Sequence, residues 1–246
     1  MSSSRKVALC ALLLTIASSL FGCSTRSISN SDYSADPDRG YGQKSNPFYN
    51  GELNELDVIG IDSKSAISEE EIAKAISNKT RITIPKGSSI MLIQSGAMIP
   101  DEDMVKDFEK YYNVSVFTGV PAEGSADGNY SRALRLAAAK GGAEKLIVYW
   151  GLLETGHENL STKAISWIPF VGGAITDETQ RMRIRMKVAV VDVKSGQWEM
   201  FSPEPFDNSS SSGSNSRASS DQAQVATLKS KAYSATVDDV VKRYSK

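Results

Sequence analysis

Cysteine and histidine are scarce in this chain. Its 246 residues include two cysteines, Cys10 and Cys23, and one histidine, His157. Because both cysteines lie near the N-terminus, the rest of the chain has no thiol for a disulfide, for nucleophilic catalysis or for binding a soft metal. His157 precedes Glu158, but position 161 is Ser, so the second imidazole of an H-E-x-x-H zinc site is missing. A typical zinc site is therefore disfavoured.

The chain also has no excess of positive charge and no phosphate-binding loop. Its 28 basic and 29 acidic residues give a formal net charge of −1. The chain therefore lacks the surplus of basic residues that is typical of nucleic-acid-binding proteins. Neither a Walker A loop nor a G-x-G-x-x-G motif is present. The stretch Gly124–Gly128 (GSADG) lacks the spacing of a G-x-S-x-G nucleophile elbow. We therefore predict no cofactor, no metal and no nucleic-acid partner.

The N-terminal apolar run, Val7–Leu20 (VALCALLLTIASSL), is too short for a comfortable membrane span, which needs about 20 apolar residues. Arg5 and Lys6 precede it, an arrangement typical of a secretory signal peptide. An ordinary signal peptide cut nearby, or an uncleaved anchor, is the alternative. The run continues into Leu20-Phe21-Gly22-Cys23, where a small residue directly precedes the cysteine.

This Leu20–Cys23 stretch resembles the lipobox of bacterial lipoproteins. The resemblance implies that residues 1–22 are a signal peptide and that Cys23 becomes the lipidated N-terminus, so that the membrane is a partner through the acyl chains. Ser24 follows, where inner-membrane lipoproteins usually have Asp; the resemblance is thus to outer-membrane lipoproteins that face the periplasm of Gram-negative bacteria. Without residues 1–22 the net charge of −1 becomes about −3, because two basic residues and no acid are lost. The anchor would then be lipid and not a polybasic patch.

Residues 23–56 are rich in Ser, Asn, Asp, Gly and Tyr and predict a lipidated N-terminus followed by a flexible tether. An α/β core domain is predicted over residues 57–207. It begins with a short strand at 56–62 (LDVIGID), followed by a helix that Ser68-x-x-Glu71 caps and whose apolar face includes Ile72 and Ile76.

Alternating strand and helix patterns follow in the core. Apolar runs predict strands at 89–95, 114–120 and 143–155, and period-two alternation followed by a hairpin turn predicts two more within 181–201. Helical spacing follows Pro100 and recurs over residues 130–140. The predicted fold class is α/β (α+β), with a single mixed sheet in two or three layers and flanking helices.

The C-terminal part of the chain has two predicted segments. Residues 208–220 (NSSSSGSNSRASS) predict a Ser-rich flexible loop. Residues 221–246 predict an amphipathic helix that packs on the core. This helix is either continuous or broken near Ser234.

The order of motifs SIMLIQSG, VSVFTGV, ALRLAAAKGGAEKLIVYWGLLE and MRIRMKVAVVDVKSGQW is similar to that of periplasmic lipoproteins with a CsgG-like or TolB-N-terminal-like α/β domain. The resemblance covers about Ser88–Ser202 and implies a non-enzymatic module for assembly or interaction at the cell envelope. The sequence shows no clear long amphipathic β-hairpin of the kind with which the curli-secretion relatives line a pore. A channel is therefore not expected.

Two sets of residues are candidates for interaction. Arg181, Arg183 and Arg185 alternate with apolar residues, so they form either the solvated face of a strand or an anionic-ligand surface for lipid head groups, peptidoglycan or a protein. The segment WIPFVGGA lies between two strong strands, and its candidate residues are Trp167, Ile168, Phe170 and Val171. This segment could cover the sheet, face a partner or membrane, or line a small-ligand pocket.

We therefore predict a lipid-anchored periplasmic envelope protein, more a non-enzymatic interaction or assembly module than an enzyme, with a possible envelope protein partner. The alternative is an envelope hydrolase that uses His157 or a carboxylate pair from Glu69–Glu71, Asp101–Asp103 or Asp238–Asp239. These acidic clusters also fit helix N-termini, where the helix dipole favours acidic side chains, or solvent-exposed helix faces, where charged side chains are hydrated. The sequence does not predict an oligomeric state.

Overall fold

The computed structural model describes residues 24–31, 46, 48–62, 64–78, 80–121, 129–159, 178–212 and 217–245. In chain order its elements are β1 (Ser24–Ser27), α1 (Glu55–Ile59), α2 (Glu69–Ser77), β2 (Ser89–Gln94), α3 (Glu102–Glu109), β3 (Asn113–Phe117), α4 (Tyr130–Lys140), β4 (Lys145–Asn159), β5 (Glu178–Asp192), β6 (Trp198–Phe201), β7 (Phe206–Ser212) and α5 (Arg217–Tyr244). A 3-10 turn, Ile28–Asn30, directly follows β1.

The strands form one seven-stranded mixed sheet with the order β3-β2-β4-β5-β6. β2 pairs in parallel with both β3 and β4, whereas β4 with β5 and β5 with β6 are antiparallel. Two further antiparallel strands extend the sheet, because β1 pairs with β4 and β7 pairs with β5. The predicted fold class, an α/β fold with a mixed sheet and flanking helices, is confirmed.

A long antiparallel hairpin of β4 and β5 runs through the whole sheet. Each strand has 15 residues, and the register extends from Lys145 opposite Asp192 to Asn159 opposite Glu178. β2 and β6 flank the inner half of the hairpin, and β1 and β7 flank its outer half. The outer end of this long hairpin consists of polar residues and glycine, so the expectation of no long amphipathic, pore-lining hairpin stays a prediction. Residues beyond Thr155 are polar, so no apolar alternation marked them, and their backbone pairing alone extends the strands.

Helices cover both faces of the inner half of the sheet. α3 and α5 pack on one face, where Phe108, Tyr149 and Tyr233 are fully buried in the larger core. α1 and α4 pack on the other face and contribute Val58 and Leu134 to a second core. The continuous apolar runs of β2 and β4 follow from this arrangement, because strands covered on both faces bury every side chain.

Residues 56–62, predicted as a short strand, instead contain most of the helix α1. The Asn54 side chain caps this helix by accepting a hydrogen bond from a first-turn backbone N–H at 2.8 Å. Glu55 and Asp57 lie in the first turn, where the helix dipole favours acidic side chains. Gly60 ends the helix with a φ of 79°, a left-handed conformation that glycine adopts without strain. These local signals outweigh the strand preference of the apolar residues.

Part of the segment 23–56, predicted as a flexible tether, is built into the sheet and its core. Ser24–Ser27 forms β1, and Ile28 is 2% exposed in the larger core. Further along, Leu53 is buried, and its N–H donates a hydrogen bond to the Ser95 hydroxyl at 2.8 Å. The tether prediction is wrong for these residues, because a few apolar side chains and backbone hydrogen bonds suffice to dock a segment of otherwise polar composition.

The Ser-rich stretch 208–220, predicted as a flexible loop, begins inside β7 and ends inside α5. Serine fits both elements, because ladder and helix hydrogen bonds come from the backbone whatever the side chain. The predicted C-terminal helix is confirmed. It begins at Arg217 and passes Ser234 without a break. None of the helices in the described ranges has the length and apolarity that crossing a membrane requires.

The predicted capping box of α2 is confirmed. The Glu71 N–H donates to the Ser68 hydroxyl at 3.2 Å, and the Ser68 N–H donates to the Glu71 carboxylate at 3.0 Å. The apolar face of this helix is not buried, since Ile72 is 44% exposed and Ile76 is 73% exposed. The capping signals therefore form the helix without packing of that face.

Candidate functional site

Several residues that the sequence selected lie outside the described part of the chain. Cys23 immediately precedes β1. For His157 and Arg181 the backbone lies in the β4–β5 ladder, whereas their side chains are outside the description. Residues 160–177 are outside it as well, and they contain Trp167, Ile168, Phe170 and Val171. The lipidation of Cys23, the hydrolase alternative at His157 and the interaction role of the other residues stay predictions.

Basic side chains of β5 line one face of the outer half of the sheet. In the hairpin register Arg183 lies opposite Glu154 and Arg185 lies opposite Leu152. The Glu154 carboxylate is 3.0 Å from Nε of Arg185 and 4.0 Å from Nη1 of Arg183. The Arg185 side chain is 50% exposed, and the Arg183 side chain is 42% exposed. Lys187 follows on the same face. We call the surface formed by Leu152, Glu154, Arg183, Arg185 and Lys187 the arginine face.

Among the described residues, no helix covers the arginine face, because α1 and α4 stop short of it. The buried cluster beneath α1 and α4 ends at Trp150 on β4 and at Ala189 on β5. Beyond that point Leu152 is 44% exposed. On the opposite side, α5 covers the alternate residues of β5, which are buried and are Met182, Ile184 and Met186.

A groove of about 760 Å³ opens where the arginine face meets the covered part of the sheet. Its floor is the middle of the hairpin, one wall is the chain leading into α1, and the other wall is the β6–β7 connection. The lining residues are Glu52–Glu55, Trp150–Leu152, Arg185–Lys187 and Ser202–Pro205. The groove has no signal in the sequence, because its three parts are remote from each other in the chain.

Hydrogen bonds and ion pairs fix the wall next to α1. The Trp150 indole N–H donates to the Leu53 carbonyl at 2.9 Å, and the Lys187 ammonium lies 2.5 Å from the Glu55 carboxylate. The Tyr49 hydroxyl donates to Glu52 at 3.2 Å. Burial, and then the charge of Glu52, raises the pKa of the Tyr49 phenol. The groove thus combines an apolar floor with charged groups of both signs at its rim.

A buried polar network lies at the carboxyl end of β2. The Gln94 side-chain carbonyl accepts hydrogen bonds from the Tyr149 hydroxyl at 2.6 Å and from the Asp101 backbone N–H at 2.7 Å. The Gln94 amide donates to the Ser29 hydroxyl at 3.0 Å, and that hydroxyl donates to the Ser95 carbonyl at 2.6 Å. Burial, and then the charge of Asp101, raises the pKa of Tyr149 well above its usual range. The network ties the N-terminal segment to the centre of the sheet.

Lys229 of α5 joins this network from the helix side. Its ammonium lies 2.8 Å from the Asp101 carboxylate and donates to the Ile28 carbonyl at 3.3 Å. The Tyr233 hydroxyl donates to the same carboxylate. Only 6% of the Lys229 side chain is exposed. Lys229 was not predicted as a site residue, although a lysine beside Leu228 within the apolar stripe of a helix was the available signal.

The acidic clusters considered for catalysis have structural partners. Glu71 caps α2, Asp101 binds Lys229, and Asp239 lies 3.3 Å from Arg243 one helical turn away. Across the residues that the structure describes, no group of three or more His, Cys, Asp or Glu side chains is placed to hold a metal ion.

The family model that matches the chain is described as YafT bacterial lipoprotein, and it covers residues 54–243. This span includes the elements from α1 to all but the end of α5. None of the curated proteins compared with the chain matches it.

Two solved structures are similar to the chain at low identity. A variant of the PelC dodecamer from Paraburkholderia phytofirmans is 13% identical, with 63% of this chain and 92% of that chain covered and a TM-score of 0.28. A neuraminyllactose-binding hemagglutinin homolog from Helicobacter pylori is 15% identical, with 68% of this chain and 91% of that chain covered and a TM-score of 0.30. Similarity at this level carries no argument about binding or assembly.

Proposed function

Because the chain belongs to the YafT bacterial lipoprotein family, we propose that Cys23 is its lipidated residue and that residues 1–22 are a signal peptide removed before it. The Leu20–Cys23 lipobox and the basic and apolar segments before it support this proposal. Ser24 supports an address at the outer membrane, where the mature protein would face the periplasm of a Gram-negative bacterium.

The mature protein acts as a non-enzymatic interaction module that binds an envelope component through the arginine face and the adjoining groove. The observation that carries this assignment is the arginine face itself, where no described helix covers the sheet and Leu152 is 44% exposed beside two half-exposed arginines. Exposed apolar area rimmed by charge is a common property of binding surfaces.

A CsgG-like or TolB-N-terminal-like relationship is the finer part of the proposal. It is supported by the element order β2-α3-β3, then α4-β4, then the β5–β6 hairpin, which is the order of the sequence motifs. A hydrolase that uses His157 or a carboxylate pair has less support, because Asp101 and Asp239 are engaged by Lys229 and Arg243.

Metabolic labelling with a palmitate analogue tests the anchor. We expect label in the wild type and in Cys10→Ser, and none in Cys23→Ser. Equal labelling of Cys23→Ser would refute the lipid site. Density-gradient fractionation tests the address, since Ser24→Asp should move the protein from the outer-membrane to the inner-membrane fraction.

Photo-crosslinking in cells tests the interaction surface. A photoreactive residue at Leu152 should form adducts, whereas one at Leu136 should not. Leu136 is a matched control because it is 57% exposed on α4, away from the groove lining. Equal adduct formation at the two positions would remove the arginine face as the binding surface. The same measurement from Trp167 and Phe170 tests the loop candidates.

A further inference from the structure

The lipid anchor and the fold meet without an intervening linker. β1 begins at Ser24, the residue directly after Cys23, and Ser24 lies opposite Thr155 of β4. Adjacent Cα atoms are only about 3.8 Å apart across a trans peptide bond. If Cys23 is acylated, as proposed above, the acyl chains leave the protein at the flank of the outer half of the sheet.

Packing holds this attachment point firmly on the domain. Ile28 is buried against β4, where it fills the space left by Gly151. The Ser29 hydroxyl donates to the Ser95 carbonyl, and the Lys229 ammonium donates to the Ile28 carbonyl. An acylated Cys23 would therefore keep the outer half of the sheet close to the lipid surface, without a long flexible linker between them.

The described end of the outer hairpin is too polar to enter the hydrocarbon of a bilayer. β4 continues from Thr155 to Asn159, roughly 13 Å at about 3.3 Å per residue. The end of this ribbon is polar, with Gly156–Asn159 on β4 and Glu178–Arg181 on β5. Charged and polar groups are costly in hydrocarbon, which favours a ribbon that lies along the interface over one that enters the bilayer.

The two faces of this ribbon differ in what covers them. α5 covers the face that carries Ile184 and Met186. In the described part of the chain no helix covers the arginine face, which presents the exposed side chains of Arg183 and Arg185. These long side chains have apolar stems and cationic ends that suit a phosphate layer. We propose that the arginine face lies against the phosphate groups of the same bilayer that holds the lipid anchor of the protein.

Fluorescence quenching in vesicles tests this orientation. The lipidated full-length mature protein is reconstituted in phosphatidylethanolamine and phosphatidylglycerol vesicles that contain a lipid with a nitroxide on its head group. An environment-sensitive dye is attached to Leu152→Cys or, as the matched control, to Ala226→Cys, which is exposed on the opposite, α5 side. Neither variant has a competing thiol, because acylation blocks Cys23.

We expect a larger fractional loss of fluorescence from the dye at Leu152 than from the dye at Ala226. Equal loss, or a larger loss at Ala226, would overturn the proposal. Thr25→Cys provides a second site, because Thr25 is exposed and lies opposite Glu154. It replaces Leu152→Cys if the circular dichroism spectrum of that variant departs from the wild type.

A charge variant tests the role of the arginines. In the protein labelled at Leu152, Arg183→Gln with Arg185→Gln should reduce the quenching, with each arginine contributing about a fivefold preference for the docked orientation. Lys231→Gln with Lys242→Gln changes the net charge equally on exposed positions of α5 and should leave the quenching unchanged. The same reduction by both pairs would contradict a specific contact.

The outcomes separate this proposal from the proposed lipidation. A protein that does not float with the vesicles and whose N-terminal peptide lacks the acyl mass overturns both proposals. A protein that floats but shows equal quenching at Leu152 and Ala226 overturns only the orientation. Adducts from Leu152 to a protein, together with weak lipid quenching there, also overturn it in favour of a protein partner.

Discussion

Ser24 lies opposite Thr155 in the antiparallel pairing of β1 with β4, and the chain continues from there into Ile28, which packs on Gly151. A Cβ added at Gly151 would come within 2.4 Å of the Ile28 Cδ1 atom, closer than real Cβ contacts. The attachment of the N-terminal segment therefore depends on a residue without a side chain in the middle of β4.

Gly151→Ala should lower the free energy of unfolding by about 1 to 3 kcal/mol, because the added methyl group overpacks the contact with Ile28. Urea denaturation measures this change. The double variant with Ile28→Ala is the control, since removing the Ile28 side chain makes room for the methyl group. In the Ile28→Ala background, Gly151→Ala should lower the free energy of unfolding by a clearly smaller amount. An equal cost in both backgrounds would show that the Ile28 contact is not the reason.

Lys229→Met should lower the free energy of unfolding by about 3 kcal/mol. The substitution leaves the Asp101 carboxylate without its 2.8 Å ion pair in a largely buried network, and breaking one partner of such a pair is costly. Lys231→Met, on the exposed side of the same helix, should change stability by no more than about 0.5 kcal/mol. Combining Lys229→Met with Asp101→Asn should cost less than the sum of the single changes. Strict additivity would mean that the pair is not coupled.

The inner half of the sheet could be predicted from the sequence because its residues carry strong local patterns. The helix at Tyr130–Lys140 was predicted with its exact bounds, since alanine-rich helical spacing ends at a Gly pair. The run from Leu146 to Leu153 predicted a central strand, because an apolar stretch of strand length is stable only when covered on both faces.

The outer half of the sheet could not be predicted in this way. β1, β7 and the end of the β4–β5 hairpin consist largely of polar residues such as Ser24–Ser27 and Ser209–Ser212. Their strand conformation comes from pairing with neighbours remote in the chain, and local periodicity contains no signal for that pairing. Period two did identify the solvent-facing side of Arg183 and Arg185, whereas the groove depends on three separate segments and was invisible.

Ile76→Lys tests whether the apolar face of α2 is exposed in the folded protein. Ile76 is 73% exposed, so the change should alter the free energy of unfolding by no more than about 0.5 kcal/mol. If this apolar face were buried, a lysine there would instead be strongly destabilising. Chemical denaturation distinguishes the two, with Ile93→Lys, at a fully buried position of β2, as the disruptive reference. A loss of several kcal/mol for Ile76→Lys would show that this helix packs on another part of the chain.

Asp192 makes stability depend on pH at acidic values. The Lys145 ammonium lies 2.7 Å from one oxygen of this carboxylate, and the Ser195 hydroxyl and N–H both donate to the other oxygen at 2.7 Å. Burial raises the pKa of Asp192, but the hydrogen bonds from Lys145 and Ser195 outweigh burial and lower the pKa to about 2. The folded state thus prefers the ionised carboxylate more strongly than the unfolded state does. In the unfolded state the pKa of an aspartate is about 3.9.

A carboxyl group with a lowered folded-state pKa stabilises the fold above its unfolded-state pKa, and this contribution is lost as the pH falls from about 4 through about 2. With solvent screening of this partly exposed pair, the contribution is about 1 kcal/mol. Wild type should therefore lose about that much more unfolding free energy between pH 6 and pH 2 than Asp192→Asn, in urea titrations at each pH. Ser195→Ala removes one of the hydrogen bonds and should fall between the two proteins. If Asp192→Asn lost as much stability as wild type over this range, Asp192 would not be the source of the dependence.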